Sequence, residues 1–105
     1  MTDQRATVTI DAVKASSVDA LHEALAKALA FPGYYGKNWD AFWDCIRDSE
    51  QSKMPEILII KGLNRFELAH PHDAKILREC LNDLHSEQLR RSGSRITKII
   101  LEDII

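Results

Sequence analysis

The sequence lacks the features that mark membrane, secreted and nucleic-acid-binding proteins. None of the apolar runs in its 105 residues approaches the length of a membrane span, and the opening MTDQRATVTI contains no apolar core of a signal peptide. Basic residues number 14 and acidic residues 16, so there is no basic excess of the kind that nucleic-acid-binding domains carry. These absences predict a cytoplasmic protein that makes no direct contact with nucleic acid or membrane.

Cysteines and the motifs of catalysis are also scarce. The two cysteines, Cys45 and Cys80, fall at apolar positions of predicted helices, and without a secretion signal we expect buried thiols and no disulfide. His22 and His85 are predicted on polar helix faces, and no cluster of residues follows a recognised metal-ligand spacing. The sequence has no G-x-S-x-G motif and no glycine-rich phosphate loop. We therefore expect no enzyme activity, no cofactor and no metal.

The composition is that of an ordinary globular protein, with 45% hydrophobic and 29% charged residues. Three runs typical of β-strands are separated from one another by helical sequence: Thr7–Ile10, Ile57–Lys61 and Ile96–Leu101. This alternation indicates βαβ units, and hence a single α/β domain over residues 1–105 with a three-stranded parallel β-sheet packed with about four helices. The second run is apolar on both faces, which predicts a strand that helices cover on each side.

Residues typical of helix ends mark the helical segments. Ser16 and Asp19 suit a capping box, Asn38 suits an N-cap, and Gly93 suits a left-handed stop. The predicted helices are one with its apolar face from Val18 to Leu29, one over about Trp39–Asp48, a short one near Asn64–His70, and a long one over roughly His72–Arg91.

The second predicted helix, within FPGYYGKNWDAFWDCIRDSE, has two adjacent rows of side chains. The apolar row is Trp39, Phe42, Trp43 and Ile46, and the acidic row is Asp40, Asp44 and Asp48. Like charges one turn apart cost roughly 0.2–0.5 kcal/mol per pair. Asp48 also lies at the unfavourable end of the helix dipole, and Arg47 compensates Asp44 only in part. A row that lowers helix stability indicates a binding surface.

The loop before this helix, GYYGKN, places Tyr34 and Tyr35 between two glycines. Two adjacent tyrosines cannot easily both face inward from a turn, so we expect one of them at the surface. An exposed tyrosine beside carboxylates has the composition of a protein-binding hot spot.

The segment from Pro32 to Cys45, PGYYGKNWDAFWDC, closely resembles the signature of the barstar family, intracellular inhibitors of barnase-type ribonucleases. Weaker similarity extends over most of the chain. The resemblance implies a barstar-like fold and an inhibitor whose loop and second helix close the active site of a ribonuclease or nuclease toxin. The expected assembly is a one-to-one complex, and we expect a monomer when the protein is free.

The resemblance also implies roles for individual residues. It places Asp44 in the phosphate-binding pocket of the nuclease, Asp40 as a second acidic contact, and Tyr34 against the catalytic histidine. The remaining matched positions are Asn38 and Trp39 at the edge of the interface and Tyr35 and Trp43 as largely structural support.

The chain departs from the family pattern at several positions. Arg47 and Asp48, which we include in the predicted contact surface, replace residues of other character, and Lys37 replaces an acid. An acidic contact from the last helix corresponds to either Glu79 or Asp83. These changes point to a nuclease other than barnase.

Two other functions fit parts of the pattern. Asp40 and Asp44 could pair as general acid and base, but such pairs need environments that separate their pKa values, and an exposed row offers none. Alternatively, the acidic surface could bind a basic patch on an endogenous partner without inhibiting a nuclease. A measurement of nuclease turnover distinguishes the inhibitor from this interaction module, because only the inhibitor abolishes turnover.

Overall fold

The computed structural model describes residues 7–33, 35–47, 54–90 and 97–104. Its elements are β1 (Thr7–Asp11), α1 (Val18–Ala28), α2 (Trp39–Arg47), β2 (Ile57–Lys61), α3 (Leu63–Ala69), α4 (Pro71–Arg90) and β3 (Lys98–Glu102), with a 3₁₀ turn at Ala12–Lys14. The structure confirms the predicted α/β architecture, a three-stranded parallel sheet packed with helices.

The sheet has the strand order β1-β2-β3, and both strand pairs are parallel. Its core-facing rows are Val8–Leu58–Ile99 and Ile10–Ile60–Leu101. Leu58 and Ile60 are fully buried, whereas Ile57 and Ile59 on the other face are only half-buried. The prediction that helices cover β2 on each side is therefore wrong among the described residues. The physical reason is the strand order, which moves in one direction from β1 to β3. Right-handed crossovers in such an order place their helices on the same face of the sheet, so the other face is less covered.

The helices close the core face of the sheet. α1 lies against β1, α4 lies against β3 and α3, and α2 packs on α4. The side chains that are almost fully buried include Leu21 and Leu25 of α1, Phe42 of α2, Leu58 and Ile60 of β2, Leu63 of α3 and Leu77 of α4. This packing places α2 on the outside of the helical layer, supported by α4.

The ends of α1 differ from the predicted capping box. Ser17, not Ser16, is the N-cap, and its hydroxyl accepts a hydrogen bond from the backbone N–H of Ala20 at 3.1 Å. Ser17 has the extended backbone that an N-cap requires, so the neighbouring serine cannot take that place. At the other end, Ala30 has a left-handed φ of 58°, and the N–H of Phe31 bonds back to the carbonyl of Ala26.

The starts of α2 and α4 follow the predicted chemistry. Asn38 Oδ1 accepts the backbone N–H of Ala41 at 2.7 Å, which confirms Asn38 as the N-cap of α2. Pro71 ends the preceding segment and is itself the first residue of α4, a position where a missing N–H costs nothing. The predicted stop at Gly93 lies outside the described residues. Within the described part of the chain, no helix has the length and apolar character to cross a membrane.

Candidate protein-binding site

The two rows of α2 face opposite environments, as predicted. Phe42, Cys45 and Ile46 are buried in the core. Trp39 and Trp43 are half-buried against it. Asp40 and Asp44, one turn apart, are both exposed. Among the described residues, neither carboxylate has a hydrogen-bond or salt-bridge partner. α2 therefore presents unneutralised acidic groups to solvent.

Two of the predicted contact residues, Tyr34 and Asp48, lie outside the described residues. Asn38 is exposed at the start of α2, but its side chain is engaged with its own backbone. Its amide nitrogen also donates to the carbonyl of Gly36 at 3.4 Å. Asn38 therefore shapes the loop and the helix start, whatever it contacts beyond them.

Trp39 fixes the first turn of α2 to α4. Its indole Nε1 donates a hydrogen bond to Asp73 Oδ1 at 2.9 Å, and its ring lies 4.1 Å from the ring of His22. The indole of Trp39 is half-buried and its N–H is bonded within the chain, so Trp39 supports the fold in addition to any contact at the edge of an interface. The pairing of Trp39 with Asp73 joins residues that are 34 positions apart, and helical spacing contains no information about it.

The prediction that His22 lies on a polar helix face is wrong. His22 is 1% exposed, and its Nδ1 lies 2.5 Å from the Tyr35 hydroxyl in a hydrogen bond. The periodicity of α1 alone places His22 at the edge of the apolar face. His22 is buried because the rings of Tyr35 and Trp39, which lie outside α1, cover it. Burial lowers the pKa of His22 below its usual value, although the carboxylates of Asp19 and Asp73 oppose that shift. Burial also raises the pKa of the Tyr35 phenol.

Tyr35 thus has the supporting role expected of it. Its ring packs on Phe31 at 4.9 Å as well as on His22, and the hydroxyl bonds to the imidazole. Tyr35 is consequently fixed to α1 through His22. Lys37 adds a second attachment, because its ammonium lies 2.7 Å from Glu23 Oε2.

The charge of Arg47 is directed to α4 and not to Asp44, contrary to the expectation from spacing. Its Nε donates to both carboxylate oxygens of Glu87 at 3.2 Å. Its guanidinium carbon also lies 4.9 Å from the centre of the Trp43 ring. Glu87, and not Asp44, is therefore the salt-bridge partner of Arg47 among the described residues. Both ends of α2 are therefore tied to α4, through Trp39 and Arg47.

α4 extends the acidic surface beyond α2. Burial raises the pKa of the Cys80 thiol to about 11, and the nearby carboxylates of Asp83, Glu79 and Asp40 add to the shift. Asp83 and Glu79 are exposed on α4, one turn apart, and Asp40 belongs to α2. Asp40 of α2 therefore acts on the same thiol of α4 as Glu79 and Asp83 do. We call Asp40, Asp44, Glu79 and Asp83 the acidic surface.

Both cysteines are thiols, as predicted. Cys45 is buried as expected, whereas Cys80 is only half-buried, contrary to the prediction. Over residues 7–33, 35–47, 54–90 and 97–104, no three His, Cys, Asp or Glu side chains form a group that could hold a metal ion.

Comparison with known proteins gives the same family as the motif. The chain matches the family described as "Barstar (barnase inhibitor)" over residues 5–99. It is also 31% identical over 84 residues to a protein of Bacillus subtilis (strain 168) named "Putative ribonuclease inhibitor YrdF". That alignment covers 76% of this chain and 90% of the relative. The chain therefore belongs to the barstar family, a family of ribonuclease inhibitors.

Proposed function

We propose that this chain is a stoichiometric inhibitor of a ribonuclease or a related nuclease toxin, and that α2 blocks the active site of that enzyme. The observation that carries the proposal is the exposure of Asp40 and Asp44. They lie one turn apart, without internal partners among the described residues, on a helix whose other side is fixed in the core of a barstar-family chain.

The fixed position of α2 favours tight binding. Asn38 caps the helix, Trp39 is bonded to Asp73 and Arg47 is bonded to Glu87. Binding a partner then requires little further ordering of the backbone, and less of the interaction energy is lost as entropy. A helix held at both ends also keeps its carboxylates at a constant spacing.

The charge of the surface matches the target. A ribonuclease must present cationic side chains where it binds RNA phosphates, and carboxylates make strong charge-assisted hydrogen bonds with arginine. Carboxylates one helical turn apart can imitate successive phosphates without offering a bond to cleave. Complementary fields also raise the association rate, which matters when a toxic enzyme has to be captured before it acts.

Within this proposal the residues have distinct roles. Asp44 enters the phosphate-binding pocket and Asp40 makes a second acidic contact, while Tyr34 stacks near the catalytic histidine. The remaining contact residues are Asn38 and Trp39 at the edge and Arg47 and Asp48 at the rim, while Trp43 supports the helix from behind. On α4, either Glu79 or Asp83, which are exposed one turn apart, makes the acidic contact of the last helix.

Such an inhibitor acts as an immunity protein or antitoxin. It protects the cell from a nuclease that the cell itself makes or that a neighbour delivers, and we expect it in the cytoplasm, where RNA is exposed. The complex contains one inhibitor for each nuclease.

The test is a titration of ribonuclease activity. Purified protein is added to a barnase-like microbial ribonuclease, and to any nuclease encoded beside the inhibitor. We expect activity to fall linearly to an endpoint at one equivalent for the wild type. Asp44→Ala should lose this endpoint, whereas Asp103→Ala, an exposed aspartate after β3, should keep it. Full activity of both enzymes in the presence of excess protein would contradict the proposal.

A second candidate function is an interaction module that binds a basic surface of an endogenous protein. The same exposed acids would serve it, so salt dependence does not distinguish the two functions. Only active-site blockage abolishes turnover. If both nucleases remained active, affinity capture with the wild type and Asp44→Ala would identify the partner of this second function.

A further inference from the structure

The third strand leaves one edge of the sheet open. Among the described strands, β3 pairs only with β2. The N–H of Lys98 bonds to Glu56 O at 2.8 Å, and Glu102 O accepts from the N–H of Gly62 at 2.7 Å. Because backbone groups alternate in direction along a strand, the N–H and C=O groups of Ile99 and Leu101 point to the outer edge. No partner of these groups lies within residues 7–33, 35–47, 54–90 and 97–104, so in that part of the chain they are available to another strand.

A groove also lies beside this edge. A groove of about 730 Å³ lies between α4 and β3, with Leu81, His85, Ile99 and Leu101 among its lining residues. At this edge the groove separates part of α4 from β3. The two ends of β3 are held, since Thr97 N–H bonds to Gln88 Oε1 and the backbone of Ile104 bonds to Asn64. Only the middle of the strand is open.

We propose that two copies of this chain associate through β3, which pairs antiparallel with β3 of the second copy about an axis at Ile100. The sequence of the strand, KIILE, is complementary to itself in this register. Lys98 lies opposite Glu102 of the second copy, and Ile99 lies opposite Leu101 of the second copy. The residues whose backbone groups point outward become the hydrogen-bonded pairs, as an antiparallel ladder requires.

The charges of β3 favour a second copy over a strand of unrelated sequence. The in-register neighbour of Lys98 on β2 is Ile57, and Lys98 has no salt bridge within the described part of the chain. Glu102 has Lys61 beside it on β2. A second copy gives Lys98 an acidic neighbour and Glu102 a second cation, at positions where opposed side chains approach closely.

The other edge of the sheet lacks this complementarity. β1 has the sequence TVTID, and antiparallel pairing about Thr9 would place Asp11 opposite Thr7. That register offers the carboxylate of Asp11 no cation. The preference for β3 therefore follows from its particular charges and not from the existence of an open edge.

The predicted dimer is weak and concentration-dependent. Five-residue strands bury less surface than the roughly 1,200–2,000 Å² of a standard stable interface. The expectation of a monomer then applies to dilute solution. Asp40 and Asp44 remain accessible in the dimer, because the edge of β3 and the groove contain no residue of α2. Glu79 belongs both to the acidic surface and to the lining of the groove, whereas Asp40, Asp44 and Asp83 do not line it. The dimer therefore leaves three of the four carboxylates of the acidic surface clear of the groove.

Sedimentation equilibrium of the full chain, at protein concentrations up to about 1 mM, tests the proposal. We expect the weight-average mass of the wild type to rise with concentration from 11.9 kDa toward twice that value. Lys98→Glu and Glu102→Lys each oppose like charges, and each should weaken association by about tenfold. The double variant Lys98→Glu/Glu102→Lys restores opposite charges and should restore the dimer. The control is Lys27→Glu, on the exposed surface of α1, which makes the same charge change as Lys98→Glu but away from the edge of β3. It should have no effect on association.

Each contrary outcome overturns a stated part of the proposal. A constant monomer mass at the highest concentration would exclude the dimer. Dimerisation that neither single substitution weakens would place the contact elsewhere, and failure of the double variant to rescue would exclude the antiparallel register. Thermal unfolding of each variant verifies the fold, and Lys98→Glu is the cleaner single test because its neighbour Ile57 is uncharged. Ribonuclease inhibition by the same variants should be unchanged.

Discussion

The carboxylates of the acidic row are expected to differ in their contribution to binding. Asp44→Ala should weaken nuclease binding by about 2–5 kcal/mol, because a charge buried in the complex leaves its basic partners unpaired when it is removed. Asp48→Ala, expected at the rim, should cost less than about 1 kcal/mol. Inhibition constants of the two variants measure the difference. Since Asp44 is exposed in the free protein, Asp44→Ala should hardly change the melting temperature.

Two results would contradict these assignments. Equal and small losses of affinity for Asp44→Ala and Asp48→Ala would mean that Asp44 does not enter a pocket. A large fall in the melting temperature of Asp44→Ala would mean that the residue supports the fold.

His22 predicts a pH dependence of stability. Its folded-state pKa is lowered from the usual 6.5 by burial, so the unfolded chain binds this proton more readily than the folded chain does. The contribution of His22 to the free energy of unfolding is therefore fully present above about pH 6.5. It is lost as the pH falls from that value toward the folded-state pKa, at up to about 1.4 kcal/mol per pH unit. Urea unfolding between about pH 7.5 and 5 measures the free energy of unfolding over this range.

The matched control is His22→Gln, which keeps a polar side chain near the Tyr35 hydroxyl but has no titrating group. Its free energy of unfolding should vary less with pH than that of the wild type across the same range. Identical pH profiles for the two proteins would show that other groups cause the dependence.

At single residues, sequence reasoning worked where one helix contained all the information. The spacing of Asp40 and Asp44 was sufficient to predict a shared exposed face. It could not predict the bond from Trp39 to Asp73, or that Arg47 turns to Glu87, because these contacts join residues 34 and 40 positions apart. His22 was misplaced for the same reason, since the side chains that bury it come from outside α1.

At the scale of elements, the end of α1 offers a test of backbone strain. Ala30 has φ of 58°, where a Cβ is unfavourable and glycine is not. Ala30→Gly should therefore stabilise the protein by up to about 1 kcal/mol, a rise of a few degrees in the melting temperature. Ala26→Gly, in the interior of the same helix, should destabilise it by about 0.5–1 kcal/mol. A loss of stability in both variants would contradict the left-handed conformation at Ala30.

The elements themselves were predictable where pattern and end signals agreed. β2 has the predicted bounds, and Asn38 and Pro71 mark helix starts as their chemistry requires. The environment of β2 was not predictable from its composition. A run that is apolar on both faces suits a doubly covered strand, but the strand order, which only the tertiary structure shows, leaves one face half-buried.

At the scale of the whole molecule, the fold is a support for one helix face. α4 packs on the sheet and receives both ends of α2, through Asp73 and Glu87, while it adds Glu79 and Asp83 to the acidic surface. The carboxylates thus extend over two helices of the outer layer. The family motif ends at Cys45 and contains only the part of this surface that belongs to α2. The wider resemblance indicates an acid on the last helix but leaves open whether it is Glu79 or Asp83.

The measurement that tests phosphate mimicry most directly is competition for the nuclease active site. The free nuclease that this protein inhibits is titrated with the protein by calorimetry. The titration is then repeated in the presence of a saturating 3′-mononucleotide. If the acidic surface occupies the phosphate site, the apparent Kd should rise by a factor of one plus the ratio of the nucleotide concentration to the nucleotide's own Kd. An affinity that is unchanged by the bound nucleotide would contradict the account, because the protein would then bind outside the active site.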